Sequence, residues 1–293
     1  MIRGLYNAAA GMVTQQRRHD TITQNIVNLK TAGYKQTDSI LRSFPEVLVS
    51  MIGGEPGNPN RTVGKLNTGV FAEESMAMYT QGDLRETGQA TDFALVSELG
   101  LTDPATGRNI PFDASGKYVN DNGEIIYRPQ AFFTVQDENG QVRYTRNGEF
   151  RVSPTGNLLT STGYQVLDAN NAPIVLTGAA GNFTVNEQGQ IVDEAGNLTG
   201  TTLGISVVDR PYELVREGSG VFRLDNNAGD GVRFLAGGDN AIVRQGFIEA
   251  SNVDPSKSMV ELTAALRAYE TNQKVVQFYD RSLDKAVNEI GRV

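Results

Sequence analysis

Chemistry in this chain is bounded by what it lacks. One histidine, His19, and no cysteine occur in 293 residues. A Ser-His-Asp arrangement would have to use His19, yet no Gly-x-Ser-x-Gly stretch accompanies it. A zinc-type site would need further Cys or His ligands, and thiolate or disulfide chemistry is excluded outright. Three adjacent carboxylate pairs remain: Glu73-Glu74, Asp137-Glu138 and Asp193-Glu194. Paired acid–base work needs carboxyls that converge across a cleft in environments that split their pKa values. Neighbouring acids in turns are solvated instead.

Two loops offer weaker suggestions. Asp225-Asn-Asn-Ala-Gly-Asp-Gly231 looks superficially like a calcium loop, but lacks the alternating ligand spacing and the twelfth-position Glu. Gly218-Ser-Gly220 is a lone Gly-x-Gly without the strand–turn–helix setting of a phosphate loop. The aromatics Tyr127, Tyr144, Phe132 and Phe133 lie on short alternating runs, where rings serve as core or cross-strand partners. An enzyme is therefore not expected, and neither a cofactor nor a metal is expected.

Among the elements, the strongest pattern is at the C-terminal end. Met259, Leu262, Leu266, Tyr269, Val276, Leu283, Val287 and Ile290 recur at steps of three and four, broken only by Gln273 and Asp280. That 3.5-residue period is a coiled-coil seam rather than the broad stripe of a core helix. A helix from Ser256 to Ile290 would be roughly 50 Å long. It needs a partner along its length, because one narrow stripe in water gains little. Asp254-Pro255 supplies the start, an N-cap followed by a proline suited to the first turn.

A second seam opens the chain. Leu5, Ala9, Met12, Gln16, His19, Thr23 and Ile26 keep the same spacing, with Ile22 beside it. Its polar positions weaken it, so both ends are expected to be poorly ordered in the free monomer and to order on assembly. Thr31-Ala32-Gly33-Tyr34 is expected to terminate this helix, with Gly33 a left-handed cap. Glu55-Pro56-Gly57-Asn58-Pro59-Asn60 cannot continue a helix or a central strand, so the chain after Phe44 reads as an extended connector.

From Phe71 to Phe247 the period becomes two. Runs such as Phe133-Thr-Val-Gln136 and Glu149-Phe-Arg-Val152 alternate with turn signals at Asp137-Glu-Asn-Gly140, Asn147-Gly148, Pro154-Thr-Gly156, Gly181-Asn182 and Asp193-Glu-Ala-Gly196. The expected class is α+β: long N- and C-terminal helices forming a coiled-coil-like pair, flanking an antiparallel all-β core, a sandwich or irregular barrel. The net charge of −8 argues against nucleic acid. No stretch has the length of a membrane-spanning helix, and Met1-Ile-Arg-Gly-Leu-Tyr-Asn7 lacks the apolar run of a secretory signal.

The same segments resemble one family. Thr23-Gln-Asn-Ile-Val-Asn-Leu-Lys-Thr-Ala-Gly-Tyr-Lys35 is similar to the N-terminal signature of bacterial flagellar rod and hook proteins, Asn-Asn-Ile-Ala-Asn-x-x-Thr-x-Gly-Tyr-Lys. Gly82-Asp-Leu-Arg-Glu-Thr-Gly88, Asp92-Phe-Ala-Leu95, Phe132-Phe-Thr-Val135 and Tyr144-Thr-Arg-Asn-Gly-Glu-Phe150 resemble its central domain. Gln245-Gly-Phe-Ile-Glu-Ala-Ser-Asn-Val-Asp254 and Arg267-Ala-Tyr-Glu-Thr-Asn-Gln273 resemble its C-terminal signature. Gln24 and Val27 depart from the pattern, and the 36 residues Val96 to Ala131 stand where the family has four. That insertion, 97–130, reads as an extra hairpin or surface lobe.

Length and the segment after Phe44 are closest to the distal-rod type. The resemblance implies a rod subunit that assembles into a hollow helical tube carrying torque from motor to hook. It implies an inner assembly domain from residues 1–44 and 247–293, a connector at 45–70 and a β-rich core at 71–246. Expected assembly residues are Leu5, Ala9, Met12, Ile22, Asn25, Ile26, Asn28, Gly33 and Tyr34 at one end. At the other they are Ser251, Asn252, Val253, Met259, Leu262, Leu266, Tyr269, Asn272, Val276, Leu283 and Val287. Implied partners are further copies of the chain, other rod and hook subunits, and the flagellar type III export apparatus. The implied location is the basal body outside the cytoplasmic membrane, reached without a cleaved signal. A hook or hook-junction component is the alternative within the family; a secreted β-rich surface-binding module is one outside it.

Overall fold

The structure is a computed structural model, described at residues 2–50, 62–73, 75–102, 107–113, 116–120, 122–176, 183–193, 195–218, 220–224, 231–236 and 239–290. The proline-rich stretch Glu55–Asn60, the Asp225–Asp230 loop, Asp103-Pro104, Gly181-Asn182, and Glu74 and Glu194 of the carboxylate pairs lie outside the described residues. The chain forms two compact units. The first comprises residues 1–27, 37–76 and 254–293; the second comprises 28–36 and 77–253.

In the first unit, α1 spans Ile2–Val27 and α2 spans Pro255–Lys285, followed by a wider π-helical turn at Ala286–Ile290. The start of α2 follows the sequence: Asp254 Oδ1 accepts from Ser256 N at 2.8 Å and from Lys257 N at 3.1 Å, and Pro255 opens the first turn. The end of α1 does not, since the helix stops at Val27, well before Gly33.

α1 and α2 run antiparallel. A Cβ built on Gly11 would stand 2.8 Å from Asn272 Nδ2, and one on Gly4 would run into the Tyr279 ring. Advancing seven residues along α1 therefore retreats seven along α2. The seam is turned by one residue from the predicted one. Ala8, Gly11, Ile22 and Asn25 are covered on α1, and Ser258 and Ala265 on α2. These are mostly small residues, which let the two backbones come close. Met259, Leu266 and Val287, expected in the seam, are exposed, and so is Ala9.

Strands β1 (Thr37–Asp38) and β2 (Leu41–Ser43) follow, then β3 (Val47–Ser50), β4 (Thr62–Leu66) and β5 (Val70–Ala72). β2 pairs with β5 and β3 with β4, all antiparallel. Within the stretch 45–70, expected as an extended connector, the described residues 47–50 and 62–66 are strands paired with each other. α1 lies against the base of this arm, where Thr14 Oγ1 donates to Val70 O at 3.3 Å and Arg17 Nη1 to Ala72 O at 3.3 Å.

In the second unit, after β6 (Met76–Ala77), come β7 (Leu84–Glu86) and β8 (Phe93–Ser97). The region of the insertion carries a hairpin, β9 (Lys117–Val119) with β10 (Ile125–Tyr127). β11 (Gln130–Gln136) is the central strand of a nine-stranded antiparallel sheet. On one side it leads through β15 (Gln165–Val166) and β14 (Leu158–Thr160) to the edge strand β13 (Phe150–Val152). On that same side the first half of β11 pairs with β19 (Ile205–Val208), and on the opposite side β11 pairs with β12 (Val142–Thr145). A small sheet holds β16 (Thr184–Val185), β17 (Gln190–Val192) and β18 (Leu198–Thr202). The large sheet is completed by β20 (Leu214–Gly218), β21 (Val221–Leu224) and β22 (Val232–Phe234). Finally β23 (Ala241–Gln245) pairs with β8, and β24 (Phe247–Glu249) with β7.

β11 shows why the sheet is buried on both faces. Ala131, Phe133 and Val135 enter the main core with Phe93, Leu95 and Phe150. Phe132 points the other way, into a smaller cluster with Val208 and Phe222. The polar member on that second face, Thr134, is satisfied by Ser206 Oγ at 2.8 Å.

The hairpins share one device. A side-chain oxygen accepts from the backbone two and four residues on: Asp137 from Asn139 and Gln141, Asn186 from Gln188 and Gln190, and Asp168 from Asn170 and Ala172. The fourth residue of the turn is left-handed, with Gly140 at φ 79° and Asn171 at φ 61°. Gly140→Ala should cost about 1–2 kcal/mol, the penalty of a Cβ in that region, while Asn171→Gly should be neutral or stabilising. Urea unfolding of both variants checks the pair, and equal effects would contradict this reading of the turns.

Candidate functional site

Two features stand out, one in each unit. In the β domain, three charged side chains share a site with almost no solvent exposure. Glu249, at the end of β24, places Oε1 2.6 Å from Lys35 Nζ and Oε2 2.9 Å from Arg146 Nε. Gly82 N–H donates to Oε1 at 3.0 Å. Lys35 also donates to Thr80 O at 2.7 Å. Arg146 spreads its remaining donors over Ala131 O (2.7 Å), Ser97 Oγ (3.2 Å), Gln81 Oε1 (2.9 Å) and Leu95 O (3.0 Å).

The backbone closes around this cluster. Gly33 is left-handed, at φ 67°, and its N–H donates to Glu249 O at 2.7 Å. A Cβ there would meet the Arg146 carbonyl carbon at 2.5 Å, so only glycine fits. Tyr34 is buried under the Arg216 guanidinium, 4.4 Å from ring centroid to Cζ. Asn252 Oδ1 accepts from Gln36 N at 2.6 Å, and its Nδ2 donates to Met78 O at 2.8 Å. Val253 is buried, while Asn28 and Ser251 are half-buried. Residues 28–36, the chain's first passage through this unit, and 247–253, by which it finally leaves it, are thereby fixed to the β domain.

Two cations facing one anion leave the cluster with an odd positive charge. Burial, reinforced by the Arg146 charge, brings the Lys35 ammonium down to about 8, despite Glu249. Burial works against Glu249 as well, but Arg146 and then Lys35 outweigh it and hold the carboxyl below its ordinary range. A buried lysine with a lowered pKa can mark a reactive amine. Here the ammonium is 1% exposed and already taken by Thr80 and Glu249, so no substrate atom reaches it.

This cluster gives a pH dependence whose sign is fixed. The unfolded lysine titrates at 10.5 and the folded one at about 8. Between those values the unfolded chain holds more protons, so stability should rise with pH. Integrated from pH 7.5 to 9.5, at about 1.4 kcal/mol per pKa unit, the rise is roughly 2 kcal/mol. Urea unfolding from pH 7.5 to 9.5 should show it in the native chain and not in Lys35→Met. Parallel pH profiles for the two proteins would contradict it.

The second feature is on α2. Met259, Leu266, Phe278 and Val287 are 59%, 43%, 68% and 71% exposed, with Val260 beside them. Leu262, Tyr269, Asn272, Val276 and Leu283 are half-buried, as are Leu5, Met12 and Ile26 on α1. Asn25 is buried and clamps the backbone beyond α1, with Nδ2 donating to Thr37 O at 2.7 Å and Oδ1 accepting from Thr37 N at 3.0 Å. The structure thus splits the predicted assembly residues into three groups. Ile22 and Asn25 belong within the first unit; Gly33, Tyr34, Asn252 and Val253 anchor the second; on α2, Met259, Leu266 and Val287 are uncovered while Leu262, Tyr269, Val276 and Leu283 are half-buried. Lys35, Arg146 and Glu249 were missed as site residues, although all three lie inside the stretches that carry the family resemblance.

Among the described residues, no group of three or more His, Asp or Glu side chains is arranged to hold a metal, and no helix is long and apolar enough to cross a membrane. His19 lies 3.3 Å from its neighbour Asp20 in an exposed pair. The class these features define is an α+β protein whose terminal helices leave bulky apolar side chains uncovered.

Comparison with known proteins narrows that class. Residues 129–192 match the family described as flagellar hook protein FlgE/F/G D1 domain, and residues 244–289 the flagellar basal body rod FlgEFG protein C-terminal family. The chain is 34% identical to the flagellar hook-basal body complex protein FlhO of Bacillus subtilis, over 100% of both chains. It is 26% identical to the flagellar basal-body rod protein FlgG of the same organism, covering 98% of this chain and 99% of that one. It is 29% identical to the flagellar basal-body rod protein FlgF of Rhizobium meliloti, covering 99% of each. The chain belongs to the flagellar rod and hook-basal body family, and is a structural component of that class.

Proposed function

We propose that this chain is a subunit of the flagellar basal-body rod. It assembles with further copies and with other rod and hook subunits into a hollow helical tube that transmits torque from motor to hook. The observation that carries the reading is the row of large apolar side chains on α2, which the monomer leaves in water while small residues make the α1–α2 seam. Exposed apolar side chains grouped on one element mark an interaction surface. A tube needs heterologous contacts that repeat without closing, and a helix pair with one seam inside and another outside provides them. The arm formed by β2–β5 supports the same reading, since Phe44, Val47, Leu48, Val49 and Val63 are exposed on it.

The α1–α2 seam buries few large side chains, so each copy gains most of its helix stability from its neighbours. The chain reaches the rod through the flagellar type III export gate, and performs no catalysis. Electron cryomicroscopy of isolated basal bodies carrying a tagged chain tests the proposal. The tag should appear in the rod, between motor and hook, and cells without the chain should not swim. A tag confined to the hook, or normal swimming, defeats it.

A further inference from the structure

α2 has two uncovered faces, and they differ in charge. Ser258, Ala265, Asn272 and Tyr279 recur every seventh residue, are buried or half-buried, and mark the side turned to α1. A second set of positions steps by threes and fours from Lys257 through Val260 and Ala264 to Lys285, and every residue on it is exposed. This stripe holds all the basic side chains of the helix, Lys257, Arg267, Lys274, Arg281 and Lys285, and no acid. A third stripe runs from Met259 through Leu266 to Val287 and is exposed throughout. It holds Glu270, Asp280 and Asp284 and no base. At 3.6 residues per turn the basic and acidic stripes lie about 110° apart around the helix.

These charges do not neutralise one another along the helix. Arg267 precedes Glu270, and Arg281 precedes Asp284, by three residues, which is the weaker order for a helical ion pair. Among the described residues, the one ion pair on α2 is Lys257–Glu261, at 3.9 Å. A merely solvated face mixes both signs, whereas α2 sorts them. A stripe of one sign beside a stripe of the other lets the helix recognise a copy of itself. With the acidic stripe of one α2 on the basic stripe of the next, no shift along the helix brings like charges together. A two-fold axis that reverses the helix direction would set each stripe against itself, and like charges repel. The favoured contact is therefore parallel, as subunits that add in one direction require. Both stripes also carry uncovered apolar side chains, Met259 and Leu266 in the acidic one, Val260 and Phe278 in the basic one.

We propose that α2 packs side by side and parallel with α2 of a second copy of this chain, acidic stripe to basic stripe. The proposal rests on the rod-subunit reading and names the partner of its uncovered helix face.

The test uses the full-length chain in cells and scores its recovery in purified basal bodies. Arg267→Glu/Lys274→Glu/Arg281→Glu/Lys285→Glu should lower recovery at least tenfold, because both stripes are then acidic. Glu270→Lys/Asp280→Lys/Asp284→Lys, which makes both basic, should do the same. All seven substitutions in one chain exchange the stripes and should restore recovery to at least half the native level. The seven positions are exposed, so each purified monomer should unfold at the native urea concentration. A partner that is an anionic lipid surface or a different protein would leave the exchanged chain as poorly recovered as the four-fold variant, and that result overturns the proposal. Native recovery of both single-stripe variants overturns it too. So does a variant monomer that unfolds at lower urea, since the stripes would then serve the monomer. The rod-subunit reading is scored separately by the native chain: its absence from basal bodies sinks that reading, whereas its presence with unaffected stripe variants sinks only the α2–α2 contact.

Discussion

Glu249→Gln is expected to destabilise the β domain by about 3–5 kcal/mol, the usual cost of stripping one partner from a buried ion pair. The substitution keeps the shape of the side chain but leaves Lys35 and Arg146 enclosed with no counter-charge. Lys35→Met should cost less, because Arg146 and Glu249 remain a balanced pair and burial already disfavours the charged lysine. Arg146→Met should resemble Glu249→Gln, since it removes both the main counter-charge and four further hydrogen bonds. Urea unfolding followed by circular dichroism measures all three. The order Glu249→Gln and Arg146→Met well above Lys35→Met is the expected result. A Glu249→Gln cost below about 1 kcal/mol, the level of an exposed pair, would remove the cluster from the account. Against a typical total stability of about 5–15 kcal/mol, the larger loss also releases the segments holding Gly33 and Asn252.

Leu266→Asp carries the largest expected effect on function. Leu266 is 43% exposed in the monomer, so the change should move monomer stability by no more than about 1 kcal/mol. In an assembled tube the same side chain would be desolvated. An unpaired carboxylate there costs several kcal/mol, and each 1.4 kcal/mol is tenfold in affinity, so incorporation into basal bodies should fall at least a hundredfold. The neighbouring Ala265→Asp should behave in the opposite order. Ala265 is 1% exposed in the α1–α2 seam, and its variant should separate the helices in the monomer itself. Normal swimming with Leu266→Asp, or an unfolded Leu266→Asp monomer, would contradict the assignment of the two faces.

The fold was legible where a period or a cap dictates it. The Asp254-Pro255 start, the two terminal helices and the alternating antiparallel core follow from local rules. The seam was misread by one position on each helix for a physical reason. Periodicity locates the large apolar residues, and Met259 and Leu266 are large. The contact within the monomer uses Gly4, Gly11, Ser258 and Ala265, whose value is their small size. Hydrophobic spacing therefore marks a stripe whose large residues are half-buried or exposed, and is silent on the small residues of the inner contact. The end of α1 was misplaced because Gly33 was read as a cap, whereas its left-handed backbone serves contact with Arg146. The buried cluster was invisible for a third reason. Lysine, arginine and glutamate read as surface residues, and 214 positions separate Lys35 from Glu249. Only the three-dimensional pairing of the two ends reveals that they share a site.

The absence of cysteine makes the central claim directly measurable, because a single introduced thiol reports on one position alone. Leu266→Cys and Met259→Cys would be labelled with a maleimide in purified monomer and in isolated basal bodies, with Val119→Cys on the insertion hairpin as reference. The account predicts fast labelling of the α2 thiols in the monomer and at least tenfold protection in the basal body, with less protection at the reference position. Equal labelling rates for the α2 thiols in both states would show that α2 never buries its apolar residues, and the proposed mode of assembly would be wrong.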